Sequence, residues 1–264
     1  MFYSQINPVL MNMGSFEIRY YGLVYALSFL LLYFFLNYLA KQRKIKLSND
    51  KVSDLVIYLI VGVILGARSF YVLFYNLQYY LGQPAEILML WHGGMSFHGG
   101  LVGSVLAVLF FCRKNKVRFY EIADIIAIPA SAFLMLGRIG NFLNGEIYGR
   151  ITDIPWAVKF KGVEGFRHPS QIYESLKNLA IFSILWFEKD KKRPAGYLFW
   201  LFVALFGAFR FIVEFFRMPD IQLGPVLGPF SMGQILSFPM FVLGVVMLFA
   251  VKKTQKKKNN YTQN

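Results

Sequence analysis

Residues 137–150 read Gly-Arg-Ile-Gly-Asn-Phe-Leu-Asn-Gly-Glu-Ile-Tyr-Gly-Arg, a run whose side chains could handle an anionic ligand. Arg138 offers a guanidinium fork that fits phosphate or carboxylate. Asn141 and Asn144 add amide donors and acceptors, and Glu146 adds a carboxylate. Glycines at 137, 140, 145 and 149 let backbone approach a ligand or take positive φ. The run begins where an apolar stretch, residues 125–136, gives way to a polar loop. A helix end followed by a turn accounts for the glycines. It does not account for an arginine inside the apolar boundary, where ionisable groups are expensive and mark functional sites. Arg138, Asn141, Asn144, Glu146 and Gly149 are therefore candidate site residues.

Other polar residues stand out against apolar surroundings. These are Tyr20 and Tyr21, Arg68 with Tyr71 and Tyr75, and the run Trp-His-Gly-Gly-Met-Ser-Phe-His-Gly-Gly at 91–100. Further on come His168, Ser170, Gln171 and Glu174, then Arg210 and Glu214 at i,i+4, one helical face. Arginines gathered in a lipid-accessible pocket suit an anionic phospholipid headgroup, and neutralising its phosphate makes it a better leaving group. His98 is the candidate base, because glycine pairs on either side of it let a ligand's approach go unhindered. Blander roles exist. Arg210 with Glu214 is equally compatible with a buried ion pair that fixes packing. Tyr20, Tyr21 and Trp91 suit an interfacial aromatic belt. Arg150, Lys159 and Arg167 suit a solvated external face, and the single cysteine, Cys112, a small apolar filler. No His/Cys/Asp/Glu grouping has metal-ligand spacing, and neither a Gly-x-Ser-x-Gly elbow nor a phosphate-binding P-loop occurs. With no credible nucleophile among these residues, direct transfer from lipid to an external acceptor is the reaction class expected.

The elements that must hold these residues are membrane helices. Hydrophobic residues make up 56% of the 264 and charged ones 16%, against about 25% charged in an ordinary soluble domain. Long uninterrupted apolar runs exclude the alternation of an outer-membrane barrel. The expectation is an all-α integral membrane protein, one polytopic domain over residues 1–264. Seven spans are predicted at residues 21–40, 52–75, 97–112, 120–137, 169–187, 195–216 and 231–251. Pro169 suits the first turn of the fifth. A small external head occupies about 141–168, and a Gly/Pro-rich loop 218–229 precedes the last span. The net charge of +14 might suggest nucleic acid, but 18 of the 28 Lys and Arg fall at 41–51, 113–118, 189–193 and 252–258. All four clusters lie between apolar runs on one side, which makes them a cytoplasmic topology signal and excludes a nucleic-acid partner. The N-terminus is then outside, the C-terminal basic tail (252–264) cytoplasmic, and every candidate site residue lies in the outer half of the membrane. No basic segment with a small-residue cleavage site opens the chain, so no removable signal peptide is expected.

Four motifs carry a resemblance: the run 137–146, His-Gly-Gly-Leu-Val-Gly at 98–103, His-Pro-Ser-Gln-Ile-Tyr-Glu at 168–174, and Arg-Phe-Ile-Val-Glu-Phe-Phe-Arg-Met-Pro-Asp at 210–220. Together they resemble the bacterial prolipoprotein diacylglyceryl transferases, over nearly the whole chain and in order. That resemblance implies seven helices in the bacterial cytoplasmic membrane, with the N-terminus outside. It implies movement of the sn-1,2-diacylglyceryl group of phosphatidylglycerol to the lipobox cysteine thiol of a prolipoprotein signal peptide, giving a thioether and releasing glycerol phosphate. By analogy Arg138 and Arg210 hold the phosphate, His98 is the base, and Tyr21, Arg68, Asn141, Asn144, Glu146, Gly149 and Glu214 bind substrate. No metal or organic cofactor is implied. Tyr20 stands where the family commonly has tryptophan, and residues 151–167 match no family pattern. The rival class is an anionic lipid transporter or flippase. It would need a polar path through the membrane and internal inverted repeats, and the chain has neither.

Overall fold

The computed structural model describes residues 1–4, 6–13, 16–218, 225–227 and 230–261. Most of the loop expected at 218–229, including Pro219 and Asp220 of the fourth motif, lies outside the described residues, as do residues 262–264. Among the described residues eight α-helices follow one another: α1 (Tyr20–Gln42), α2 (Asn49–Phe74), α3 (Leu77–Gly82), α4 (Phe97–Asn115), α5 (Phe119–Leu143), α6 (Ser170–Glu188), α7 (Tyr197–Val213) and α8 (Met232–Tyr261). α1, α2, α5 and the Met232–Thr254 part of α8 are long and apolar enough to cross a membrane, and α7 is a shorter apolar helix. Leu23, Leu27, Leu30 and Phe34 of α1 are exposed, as are Phe238, Val242, Val246 and Phe249 of α8. In lipid such faces need no partner, since acyl chains are as apolar as leucine. The chain is a multi-pass helical membrane protein.

The residues fall into two compact units, 33–123 and 1–32 with 124–264. In the first, α2 packs against α4 along a glycine seam. A Cβ on Gly66 would sit 2.3 Å from the Gly99 carbonyl, and one on Gly103 would sit 2.0 Å from that of Gly62. Small residues four apart on both helices let the backbones touch, a common way to join helices in lipid. Of the glycines read from the sequence as flanking His98, Gly99 lies against α2, while the Cβ position of Gly93 is open. Ser96 caps α4 by accepting from Gly99 N at 3.3 Å, and Lys116 ends it in the left-handed conformation. The loop between α2 and α4 contains α3 and two 3-10 turns, Pro84–Leu88 and Leu90–His92.

In the second unit the start of α1 meets α5 through Tyr25 and Phe29, both edge-on to Phe133 at 5.3 and 5.0 Å. Ser175 Oγ of α6 donates to the Met135 carbonyl of α5 at 3.2 Å. α7 and α8 also touch through backbone, with the Cβ position of Gly207 only 2.6 Å from Phe241 N. α7 has no cap of its own. Buried Asp124 of α5 supplies it, its two carboxylate oxygens accepting from Gly196 N and Phe199 N at 2.9 Å each.

Among the described residues six short strands add to the all-α expectation. β1 (Phe2–Ser4) pairs in parallel with β4 (Val158–Phe160), β2 (Val9–Met13) with β3 (Phe16–Arg19), and β5 (Pro225–Leu227) with β6 (Phe230–Ser231). The first residues of the chain thus lie beside the 141–168 segment. Of the span boundaries, the seventh moves furthest, to Tyr261, and the fourth matters most for the site. α5 runs through Leu143, so Arg138 and Asn141 lie on one helical face and not in a loop.

Candidate active site

The polar centre of the second unit is Glu174, on the inward face of α6 and 2% exposed. Its Oε1 accepts from Arg210 Nη1 of α7. Its Oε2 accepts from Lys177 Nζ at 2.7 Å and stands 3.8 Å from Arg138 Nε of α5. Arg210 Nη2 turns the other way, 2.8 Å from Glu214 Oε2. The remaining oxygen of Glu214 accepts from Ser231 Oγ at 3.0 Å. Helical spacing makes these meetings possible: Glu174 with Lys177 at i,i+3, Arg210 with Glu214 at i,i+4. Gly233 makes room, because a Cβ there would lie 2.5 Å from the Glu214 carboxyl carbon.

Three cations (Arg138, Lys177, Arg210) face two carboxylates (Glu174, Glu214), leaving one formal positive charge. The arginines differ in how far they are committed. Arg210 is ion-paired on both sides. Among the described residues Arg138 makes only long contacts, 3.8 Å to Glu174 and 3.5 Å to Asn141 Oδ1. Just past α7 lies Arg217, whose guanidinium burial, reinforced by repulsion from Arg210, pulls below its usual value. It remains charged, as arginine does in proteins, and adds to the positive potential.

Above the arginines the polar loop is wired to α5. Asn141 Nδ2 and Asn144 Nδ2 both donate to Glu146 Oε1, at 2.8 and 3.3 Å. The turn needs Gly145 at φ +68° and Ile147 at φ +58°, a conformation that glycine takes freely and isoleucine rarely does. Two bonds from α6 pay the loop's backbone: Gln171 Nε2 donates to the Glu146 carbonyl at 2.7 Å, and Ser170 Oγ to that of Ile147 at 2.9 Å. At Gly149 the loop passes between His168 and the end of α7. Gly149 N donates to the His168 carbonyl at 2.9 Å and Arg150 N to that of Phe216 at 3.0 Å. Tyr21 packs its ring on Gly140, whose Cβ position is 3.1 Å from Tyr21 Cδ2. The Tyr21 hydroxyl donates to that of Tyr25 at 2.9 Å and lies within hydrogen-bonding reach of Asn141.

Eight of the ten expected site residues therefore lie in one unit: Tyr21, Arg138, Asn141, Asn144, Glu146, Gly149, Arg210 and Glu214. Arg68 and His98 belong to the other. His98 is exposed in the first turn of α4. Arg68 is buried, and its guanidinium donates to five backbone carbonyls: Glu86, Ile87 (3.0 Å), Met89 (3.2 Å), Gly93 and Gly94 (3.0 Å). That matches the full donor capacity of an arginine, so Arg68 pins the 86–94 segment. Arg167, expected on a solvated face, is buried too, donating to the Glu164 carbonyl at 3.0 Å and lying over the Tyr148 ring. Sequence reasoning placed Glu174 among the pocket's polar residues without a role and left Lys177 and Arg217 unassigned. A Glu-x-x-Lys pair inside an apolar helix was the available signal for the first two. Among the described residues no group of three or more His, Cys, Asp or Glu could hold a metal ion.

Comparison with known proteins now bears on this arrangement. The family model for prolipoprotein diacylglyceryl transferase matches residues 8–250. A Geobacter sulfurreducens protein named phosphatidylglycerol–prolipoprotein diacylglyceryl transferase is 51% identical over 253 residues, covering 95% of this chain and 97% of its own. Proteins of the same name from Bordetella avium and Vibrio atlanticus are 45% and 44% identical, with 97% and 99% of this chain covered and 98% and 96% of theirs. With a family model matched over most of its length and relatives this similar end to end, the chain belongs to the prolipoprotein diacylglyceryl transferase family.

Proposed function

We propose that the chain transfers the sn-1,2-diacylglyceryl group of phosphatidylglycerol to the lipobox cysteine thiol of a prolipoprotein. A base takes the thiol proton, and the sulfur attacks the glyceryl carbon that carries the phosphate. The C–S bond forms as the C–O bond breaks, and glycerol phosphate leaves with the bonding pair. The observation that carries this reading is the uncommitted Arg138 guanidinium beside a cluster of net positive charge. Such a fork suits a phosphodiester in the ground state and the added charge of the departing phosphate in the transition state. Arg210, held between Glu174 and Glu214, presents its charge to the same group. Asn141, Asn144 and Glu146 shape the headgroup pocket with Tyr21. Among the described residues the side-chain oxygens of Asn144 and Gln171 are buried without a hydrogen-bond donor, which supports hydroxyl recognition on the glycerol headgroup. His98 is the base: a free thiol near pKa 8.5 is mostly protonated at neutral pH and needs one. His98→Gln then lowers turnover at every pH, and near-normal turnover would remove His98 from that role.

The same reading places the chain in the bacterial cytoplasmic membrane with seven spans, α3 excepted, N-terminus outside and active site toward the outer leaflet. Support comes from the four basic clusters, which in sequence fall at the C-terminal ends of the alternate spans α1, α4, α6 and α8. The test uses purified protein in phosphatidylglycerol vesicles with a peptide bearing a lipobox cysteine. A diacylglyceryl mass gain on the Cys peptide, absent from a Cys→Ser peptide and abolished by Arg138→Ala, is the expected result. No adduct at any lipid composition would favour anionic lipid transport instead.

A further inference from the structure

Lys177 is a buried cation that the reaction as described does not use. Its side chain is 2% exposed, its Nζ lies 4.0 Å from the Phe206 ring centroid, and its hydrogen-bond partner is Glu174 Oε2 at 2.7 Å. That oxygen is the one Arg138 would otherwise take. A guanidinium beside a buried carboxylate normally closes into a short fork of about 2.7–2.9 Å, yet Arg138 Nε stops at 3.8 Å. The other oxygen, Oε1, already belongs to Arg210. Each oxygen of Glu174 thus already accepts a short bond from a cation other than Arg138.

We propose that Lys177 is a positioning residue that occupies Glu174 so that Arg138 stays free for the substrate phosphate. The proposal rests on the reading above, in which Arg138 binds that phosphate. Lys177 itself touches no substrate; enclosed by Glu174 and Phe206, it acts through Arg138. Without it, Glu174 Oε2 is open and the cluster loses one positive charge. Arg138 then needs to move only about 1 Å to fork onto the carboxylate at normal ion-pair distance, and the phosphate loses its ligand.

The experiment measures initial rates in mixed vesicles as phosphatidylglycerol is titrated at saturating lipobox peptide. Loss of one charge-assisted contact to the phosphate corresponds to roughly a tenfold change or more. Lys177→Met is expected to raise KM for phosphatidylglycerol by about that factor, with kcat changed far less. Adding Glu174→Gln removes the trap while leaving an amide oxygen for Arg210. The double variant is therefore expected to recover most of the lost KM. A lysine that merely stabilised the fold would shift stability and kcat together and give no such recovery. If Lys177→Met does not accumulate, Lys177→Gln serves: it keeps a hydrogen bond to Oε2 without the charge and raises KM by a smaller factor. Parental KM in the single variant that folds, or a double variant as impaired as Lys177→Met, overturns the proposal. Arg138→Ala is measured alongside. If it leaves KM unchanged, the phosphate role of Arg138 fails. If it raises KM and the Lys177 variants do not, only the role of Lys177 fails.

Discussion

Adding one methyl group at Gly149 should disconnect the polar loop from the arginines without removing any functional group. The Cβ of Gly149→Ala would stand 2.4 Å from the Phe216 carbonyl oxygen, and 2.7 Å from both Cβ and the carbonyl oxygen of His168. Two of those neighbours are backbone atoms, so no side-chain rotation relieves the clash. The segments around 149, 168 and 216 must separate by about 1 Å, since non-bonded heavy atoms are optimal at about 3.5–4.0 Å. That separation breaks the bonds from Gly149 N to His168 O and from Arg150 N to Phe216 O, each worth about 1 kcal/mol. Overpacking strain adds about 1–3 kcal/mol, for a total of roughly 3–5 kcal/mol. Glu146 and Asn144 then lose register with Asn141 and Arg138, and transfer activity should fall by orders of magnitude. Two other glycines act as controls. A Cβ at Gly137 approaches only Tyr25, at 3.7 Å, and one at Gly22 meets nothing within 4 Å. Gly22→Ala should be neutral or stabilise α1 by up to about 1 kcal/mol. The assay pairs thermal unfolding in detergent with the mass-spectrometric transfer reaction. Gly149→Ala with parental melting and activity would refute the reasoning, because the clash is with backbone that has nowhere else to go.

The remaining arginines should separate by role. Arg138→Ala should weaken phosphatidylglycerol use with little loss of stability, while Arg210→Ala leaves buried Glu174 and Glu214 short of a partner and costs about 3–5 kcal/mol of stability as well; Arg167→Ala should lower the melting temperature and leave KM for the lipid alone. Equal, mild effects on lipid KM in all three would rule out the phosphate assignment. Arg68→Lys, which cannot satisfy five carbonyls, should loosen residues 86–94. Because residues 76–96 contain no Lys or Arg, chymotrypsin is the suitable probe, and cleavage at an unchanged rate would count against the pin. Burial holds the His168 imidazole below its usual value, so the unfolded chain binds a proton more readily than the folded one. The stabilisation is present above the ordinary histidine value and lost as pH falls through the folded one. Melting temperature should therefore drop between about pH 7 and pH 5, and His168→Gln should flatten that slope; an unaltered slope in the variant would assign it to other groups.

How much of this was legible beforehand depends on the range of the interaction. The membrane class and the helix positions followed from hydropathy, because a hydrocarbon slab of about 30 Å tests windows of about 20 residues one at a time. The Arg210–Glu214 pair was equally legible, since i,i+4 contacts need only a helix. The extension of α5 through Leu143 was not. Gly137 and Gly140 read as breakers, but Gly140 lies under the Tyr21 ring, and tertiary packing overrides such weak local preferences. The pairing of β1 with β4 joins residues more than 150 positions apart, beyond the reach of any local pattern.

The sequence by itself determined that arginines, amides and glycines would collect in a helical membrane protein, and which chemistry those residue types allow. Only the tertiary structure decided how each is used. Arg68 and Arg138 are the same side chain, both at apolar boundaries, yet one is saturated by five carbonyls and the other is left with two long contacts. Gly99 admits a neighbouring helix, and Gly149 admits a loop and the end of another. The physical reason is common to both pairs. A donor's availability depends on which acceptors the fold brings beside it, and a glycine's meaning on which backbone arrives there. For Arg210 that acceptor is Glu174, 36 residues away in the chain.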